Sequence, residues 1–280
     1  MAFISRTACS KQTQGINIDM EDAFNLAWKL ALVHKNIAPY SLLNSYSEER
    51  LSVMAEMIDQ ASKMPTDPFR GMESRDFLKS SLFPLGINYR WSSILFDERR
   101  KDARETASED EEYYHDFNFD GHDGDEEEVL DAYGLQADGM LRAGDRAPDV
   151  PCLVDMRDTR KTAPRTQTWH LFDVFGPTHH TLLVFAEPTR RWAHVLKSLS
   201  SYPRGSVSPV LIVRRGQVVP AADAAHAKYV LEDDGGHAHD TYVVDGRYGI
   251  VVVRPDGVIG AIAKGVDGMK WYLDGILVSL

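Results

Sequence analysis

Cysteine is nearly missing from the 280 residues: Cys9 and Cys152 stand far apart, and neither belongs to a C-x-x-C pair. A disulfide framework and a cysteine-based zinc ribbon are therefore excluded, and a reducing cytosol is the expected compartment. Positive charge is short too, with 31 Lys and Arg against 42 Asp and Glu and a formal net charge of -11. A nucleic-acid binder needs a basic surface to displace counterions, and a protein held on anionic lipid needs the same, so neither partner is expected. No apolar run approaches the roughly 18 residues of a membrane span. The opening segment, MAFISRTACS, lacks the apolar stretch of a signal peptide. Also absent are a G-x-G-x-x-G turn, a P-loop and a G-x-S-x-G elbow.

What is present is unevenly spread. Glu105 to Asp131 holds 13 acidic residues and no Lys or Arg, so the rest of the chain is close to neutral. That stretch has charge runs and little aliphatic content, which predicts a solvated linker. Within it, Asp116, Asn118, Asp120, Gly121 and Glu127 fit the EF-hand loop template. The apolar position of that loop is Asp123, so no specific calcium site is expected, and no metal site elsewhere. His226, His237 and His239 read as a polar surface loop, and His179-His180 as structural.

Before the acidic stretch the periodicity predicts two helices. The first starts at Asp19 as N-cap, with an apolar face of Ala23, Phe24, Ala27, Leu30 and Ala31. Asn36–Pro39 ends it. The second runs from about Ser41 to Met64 and buries Leu42, Leu43, Tyr46, Leu51, Met54, Met57 and Ile58. A short helix near Phe77 and a strand from Ile87 to Phe96 follow. From about Leu141 the pattern turns to strands at Thr181–Phe185, Val207–Val213, Ile250–Val253 and Val258–Ile262. Helices are expected at Arg190–Ser200 and Asp267–Leu280, and a turn at Arg254–Gly257. Strand, helix, strand, hairpin and helix is the order of a small α/β domain of the thioredoxin type. No cysteine follows its first strand, and Cys152 lies on another element, so disulfide chemistry is not expected.

The most specific string is TQGINIDMEDAFNLAWKLA, Thr13 to Ala31. It resembles the segment of flavin-dependent aromatic hydroxylases, the phenol hydroxylase and p-hydroxybenzoate hydroxylase group, that reads G-x-G-x-N-x-G-x-x-D-A-x-N-L-x-W-K-L-A. Gly15, Asn17, Asp22, Ala23, Asn25, Leu26, Trp28, Lys29 and Leu30 fall on the pattern, while Thr13 and Asp19 replace two of its glycines. Leu42–Tyr46 with Glu48-Glu49-Arg50, Gly86–Tyr89 with Ser92–Leu95, Ala143–Asp149, Leu171–Asp173, His179–Phe185 and Val253–Gly257 continue the resemblance in the family's order.

The resemblance implies an α/β protein. Residues 1–96 would be a helical-hairpin remnant of the FAD-binding domain, residues 97–140 an acidic linker, and residues 141–280 a thioredoxin-like C-terminal domain. It implies FAD as cofactor, NADPH as co-substrate, an aromatic small molecule as substrate, and a homodimer. Gly15, Ile16 and Asn17 would contact the flavin's pyrimidine edge through the backbone. No catalytic residue is assigned. The pyrophosphate turn and ribityl carboxylate of the family have no counterpart here, so the expectation is a truncated or divergent monooxygenase. Phe24, Trp28 and Leu32 would then be left without a packing partner. The rival expectation is a non-enzymatic thioredoxin-like dimerisation or interaction module.

Overall fold

Both faces of the central strands are buried, which is why they read as unbroken Val, Leu and Ile runs instead of alternating with polar residues. The computed structural model describes residues 14–63, 87–100, 132, 140–157, 168–187, 192–243 and 246–279. They form one mixed sheet of seven strands: β1 (Phe96–Asp97), β2 (Leu153–Asp155), β3 (His180–Ala186), β4 (Val207–Arg214), β5 (Tyr229–Asp233), β6 (Ile250–Val253) and β7 (Ile259–Ala263). The order across the sheet is β1-β7-β6-β3-β4-β5-β2. Strands β3, β4 and β5 are mutually parallel; β6 is antiparallel to β3 and to β7; β1 runs parallel to β7 and β2 antiparallel to β5.

Alternate residues of β3 serve two cores. Leu182 and Val184 join Leu211, Val213, Val252 and Ala261 beneath helices α3 (Ala193–Ser198) and α6 (Val266–Ile276). Leu183 and Phe185 join Val210, Ile212, Val251 and Ile262 beneath the 143–150 segment and helix α5 (His237–Tyr242). Each fully buried aliphatic side chain contributes about 1.5–3 kcal/mol relative to exposure. A short helix α4 (Ala221–Ala224) lies between β4 and β5.

The hairpin of α1 (Gln14–His34) and α2 (Asn44–Lys63) packs on the first face, since Trp28, Leu32, Ala38 and Leu42 share the core of β3, β6 and α6. Four expectations change here. First, α1 begins at Gln14, so Asp19 lies inside the helix and exposed and is not its cap. Second, the face of Ala23, Phe24, Ala27, Leu30 and Ala31 is the exposed one, and the buried residues are Ile18, Asn25, Trp28, Lys29 and Leu32. A reading by apolar type selects the wrong side because the inner face carries an amide and an ammonium that find partners. Trp28 and Leu32 are therefore partnered, while Phe24 remains exposed. Third, Leu51 and Ile58 of α2 face outward. Fourth, the strand expected from Ile87 to Phe96 shrinks to Phe96–Asp97, because Ser92 N–H donates to Tyr89 O at 2.8 Å and Leu95 N–H to Ser92 O at 3.2 Å, folding the segment into turns.

Elsewhere, α6 stops at Ile276, and β2, β5 and α4 are additions to the expected set. The histidine loop is instead helix α5, in which His239 is buried and its Nδ1 lies 2.8 Å from Asp233 Oδ2. The helix expected near Phe77 and the acidic stretch with its EF-hand-like pattern lie outside the described residues.

One glycine ties the turn segment to the sheet. Gly144 N–H donates to Ile259 O at 2.8 Å, and Gly144 O accepts from Tyr89 N–H at 2.9 Å. Its φ is +98°, and a Cβ there would stand 2.6 Å from Arg90 N. Gly144→Ala therefore meets both a strained backbone and a clash, and is expected to cost about 1–3 kcal/mol. For a unit of this size that lowers the unfolding midpoint by roughly 2–4 °C per kcal/mol, readable by calorimetry. An unchanged midpoint would show that the 87–90 segment moves aside freely.

Candidate functional site

The site expected from sequence is the start of α1. Gly15, Ile16 and Asn17 fall in the first turn of that helix, not in a loop before it. The first four backbone N–H groups of a helix have no partner within it, and the helix dipole adds positive potential there. Such a turn suits an electron-rich ligand edge. One residue further, Ile18 anchors the helix start in a cluster with Val53, Met57, Ile87, Tyr89, Ala132 and Val258. The start of α1 is thus set against α2, the 87–89 segment and the β6–β7 turn, a rigid base for a binding edge.

Deeper along α1, the strings that carried the resemblance converge on one buried network. Glu49 of α2 is its centre. Arg254 donates to Glu49 from Nη1 to Oε1 at 2.7 Å and from Nη2 to Oε2 at 3.0 Å. Lys29 Nζ donates to Glu49 Oε2 and to Asn25 Oδ1, each at 2.9 Å. Asn25 Nδ2 donates to Glu49 Oε2 at 2.6 Å, and Ser92 Oγ to Oε1 at 2.7 Å. Arg254 Nε also donates to Asp256 Oδ1 at 3.0 Å, and Trp28 Nε1 reaches Asp256 Oδ2 at 2.9 Å. The guanidinium lies 5.2 Å from the Trp28 ring centroid and 5.6 Å from that of Tyr89, within cation–π range.

Lys29, Glu49, Arg254 and Asp256 are all buried, and their two positive and two negative charges cancel. Burial pushes the Glu49 carboxyl up, but Arg254 and Lys29 outweigh it and hold the group below the ordinary carboxylate range. Burial, aided by Arg254, brings Lys29 down to about 8 against the pull of Glu49. A second set lies beside it. Arg50 pairs with Asp22 and donates from Nη1 to Tyr89 Oη at 2.8 Å. Arg146 Nη2 donates to Glu21 Oε1 at 3.2 Å. Burial raises Glu21, and raises Tyr89 to about 12. None of these groups is an exposed acid, base or nucleophile; they lock α1 and α2 onto the β6–β7 turn.

Sequence reasoning placed Asn25, Trp28, Lys29, Glu49 and Arg254 in family motifs without their partners. The signal available was chemical: a Lys and an Asn on the inner side of a helix require a buried counter-charge. The 205-residue separation of Glu49 and Arg254 hid which one. The α1 start presents backbone N–H groups, the kind of donor an electron-rich ligand edge accepts from. The sequence contains no G-x-G-x-x-G turn to cradle a pyrophosphate. Among the described residues no group of three or more His, Cys, Asp or Glu is arranged to hold a metal ion. No described helix is long and apolar enough to cross a membrane.

Residues 7–61, which take in α1 and most of α2, match the FAD binding domain family model. A flavin-dependent monooxygenase of Mycobacteroides abscessus is 28% identical over 266 residues, 93% of this chain and 36% of that protein. The 3-hydroxybenzoate 4-monooxygenase of Comamonas testosteroni is 38% identical over 89 residues, 28% of this chain and 14% of that protein. The chain thus spans about a third of the length of the first relative and less of the second. The solved structure of the flavin-dependent monooxygenase PieE, in complex with FAD and substrate, shares the fold, with a TM-score of 0.53 at 20% identity over 93% of this chain and 45% of that one. The hairpin thus matches the FAD binding domain family model, and the chain shares the fold of the corresponding part of PieE.

Proposed function

We propose that this chain supplies the flavin-edge hairpin and the C-terminal domain of an FAD-dependent monooxygenase acting on phenol-type aromatic rings. The observation that carries the proposal is the FAD binding domain match over residues 7–61, which coincides with the helix start held against the sheet. The relative named for 3-hydroxybenzoate points to an aromatic ring as substrate. FAD, reduced by NADPH, supplies the oxygen-activating chemistry when bound. The role of this chain is to hold the backbone N–H groups of Gly15, Ile16 and Asn17 where negative charge collects on the pyrimidine edge.

In this proposal the C-terminal domain is thioredoxin-like. The order β7-β6-β3-β4, with β3 parallel to β4 and antiparallel to β6, supports it. Its role is to pack against the hairpin and to dimerise, not to do thiol chemistry, since β3 ends at Ala186 and no cysteine follows it in the sequence.

One edge alone holds little of a dinucleotide. The purified 280-residue chain is therefore expected to be colourless and to show no phenol-dependent NADPH oxidation with added FAD. Replacing the matching region of the Mycobacteroides protein with this chain should restore a yellow protein, and Gly15→Val in that chimera should lower its flavin content. A yellow isolated chain with near one flavin bound would overturn the single-edge assignment. A folded chimera whose flavin content ignores Gly15→Val would overturn the residue assignment.

A further inference from the structure

A second site lies at the far end of β3 from the hairpin. Trp28 meets the sheet at His180, where β3 starts. Six residues on, a distance of about 20 Å in a strand, a cavity of about 440 Å³ opens past Ala186. It sits outside the carboxyl ends of the adjacent parallel strands β3 and β4, the place where open α/β sheets bind ligands. Its walls include Ala186, Trp192, Leu211, Val213 and Val219. The volume falls within the range of small-molecule sites, roughly 300–1,000 Å³, and well above the roughly 150 Å³ that accepts benzene.

Asp223 of α4 is the one buried charged group on this wall. Its Oδ1 accepts from the backbone N–H groups of Trp192 at 3.2 Å and Ala193 at 2.7 Å, which fixes the carboxylate in place. Among the described residues Oδ2 accepts nothing, and it is not a sealed atom, so it is open to the cavity that Asp223 lines. A carboxylate oxygen is an acceptor only, and in an apolar surround it gains most from a ligand that brings a donor. Arg214, Arg215 and Glu187 also line it, with Arg215 paired to Asp234, so most of the wall offered to a ligand is apolar. We infer that this cavity binds a neutral one- or two-ring apolar molecule bearing a hydroxyl, which packs on Trp192 and donates to Asp223. The inference is independent of the flavin assignment and involves no cofactor.

Titration of the purified chain with 2-naphthol and with 2-methoxynaphthalene, by calorimetry and by NMR, tests it. Saturable binding of one 2-naphthol per chain is expected. The methyl ether, with no donor, should bind at least about tenfold more weakly, as loss of a hydrogen bond to a charged group implies. Asp223→Asn keeps an Oδ1 acceptor for the α3 N–H groups and should erase most of that preference. Val219→Trp fills the cavity from its rim and should abolish binding; Ala186→Leu is the alternative fill. Each variant's unfolding midpoint is read first, so that loss of binding is scored only in a folded protein. Absence of saturable 2-naphthol binding, equal affinity for the ether, or binding that survives a folded cavity-filling variant would overturn the inference.

Discussion

Arg254→Met should destabilise the protein by about 3–5 kcal/mol, the cost of stranding a buried charge by removing its partner. Arg254 is wholly buried; its two bonds to Glu49 join the β6–β7 turn to α2, and the two carboxylates it holds, Glu49 and Asp256, accept from Lys29 and Trp28 of α1. Methionine fills much of the same volume but leaves two carboxylates facing a single ammonium, Lys29. At roughly 2–4 °C per kcal/mol the midpoint should fall by on the order of 10 °C. Glu49→Gln should be nearly as costly, because Arg254 and Lys29 then share no counter-charge at the centre. Combining Lys29→Met, Glu49→Leu, Arg254→Met and Asp256→Asn removes all four charges together and should recover much of the loss, since buried ion networks are often replaceable by apolar packing. Denaturant unfolding of the three proteins separates the outcomes. If the fourfold variant is less stable than the sum of the single losses, the network contributes net stability and the stranded-charge account fails. Hydrogen exchange in α1 gives a second reading. Arg254→Met should loosen the helix that begins with Gly15, Ile16 and Asn17.

The strands were legible because they are buried on two sides. Thr181–Phe185, Val207–Val213 and Ile250–Val253 are continuous aliphatic runs, and the structure places β3, β4 and β6 within a residue of them at each end. Strand β5 was missed because Glu232 and Asp233, acidic residues that look like loop, fill its end. Both are buried, Asp233 against His239 and Glu232 accepting from Gly216 N–H at 3.2 Å. The same physics misled the reading of α1. Its exposed side is made of Ala, Phe and Leu, and its buried side includes Asn25 and Lys29, so apolar periodicity pointed away from the core. The resemblance could show that Asn25, Lys29, Glu49 and Arg254 belong to recurring strings. It could not show that they meet, because pairing across a fold depends on topology and not on local pattern. The start of α1 was legible as a helix terminus, but five residues too late, because Asp19 offers a cap where the helix has already formed.

Stability should also fall as the solution is acidified from pH 6.5, well before the carboxylates titrate, and His180 is the cause. It opens β3 with no measurable exposure, its ring meeting Trp28 edge-on at 5.4 Å and Tyr272 at 6.0 Å. Neither ring nitrogen has a hydrogen-bond partner among the described residues. Burial first, then the charge on Arg254 and the neighbouring His179, bring its pKa from 6.5 down to about 3. The folded protein therefore keeps the imidazole neutral, while the unfolded chain takes up a proton near its ordinary value. Between those two values the unfolded state binds more protons, so lowering the pH favours unfolding, by up to about 1.4 kcal/mol per unit. Above pH 6.5 this penalty is absent. Glu49 adds a second phase. Its folded pKa is depressed, so its stabilisation is complete above about 4.5 and is lost as the pH falls below that. His180→Leu separates the phases. The variant removes an unsatisfied donor and acceptor from the core, so it should be at least as stable as the parent at pH 7.5. Between pH 6.5 and 4.5 the parent should lose about 2–3 kcal/mol more than the variant; below 4.5 both fall as Glu49 titrates, and the gap between them widens further until about pH 3. Urea midpoints at four pH values are enough to see this. Parallel profiles for parent and variant would mean that His180 is not the proton acceptor, and that the interior at the start of β3 admits water.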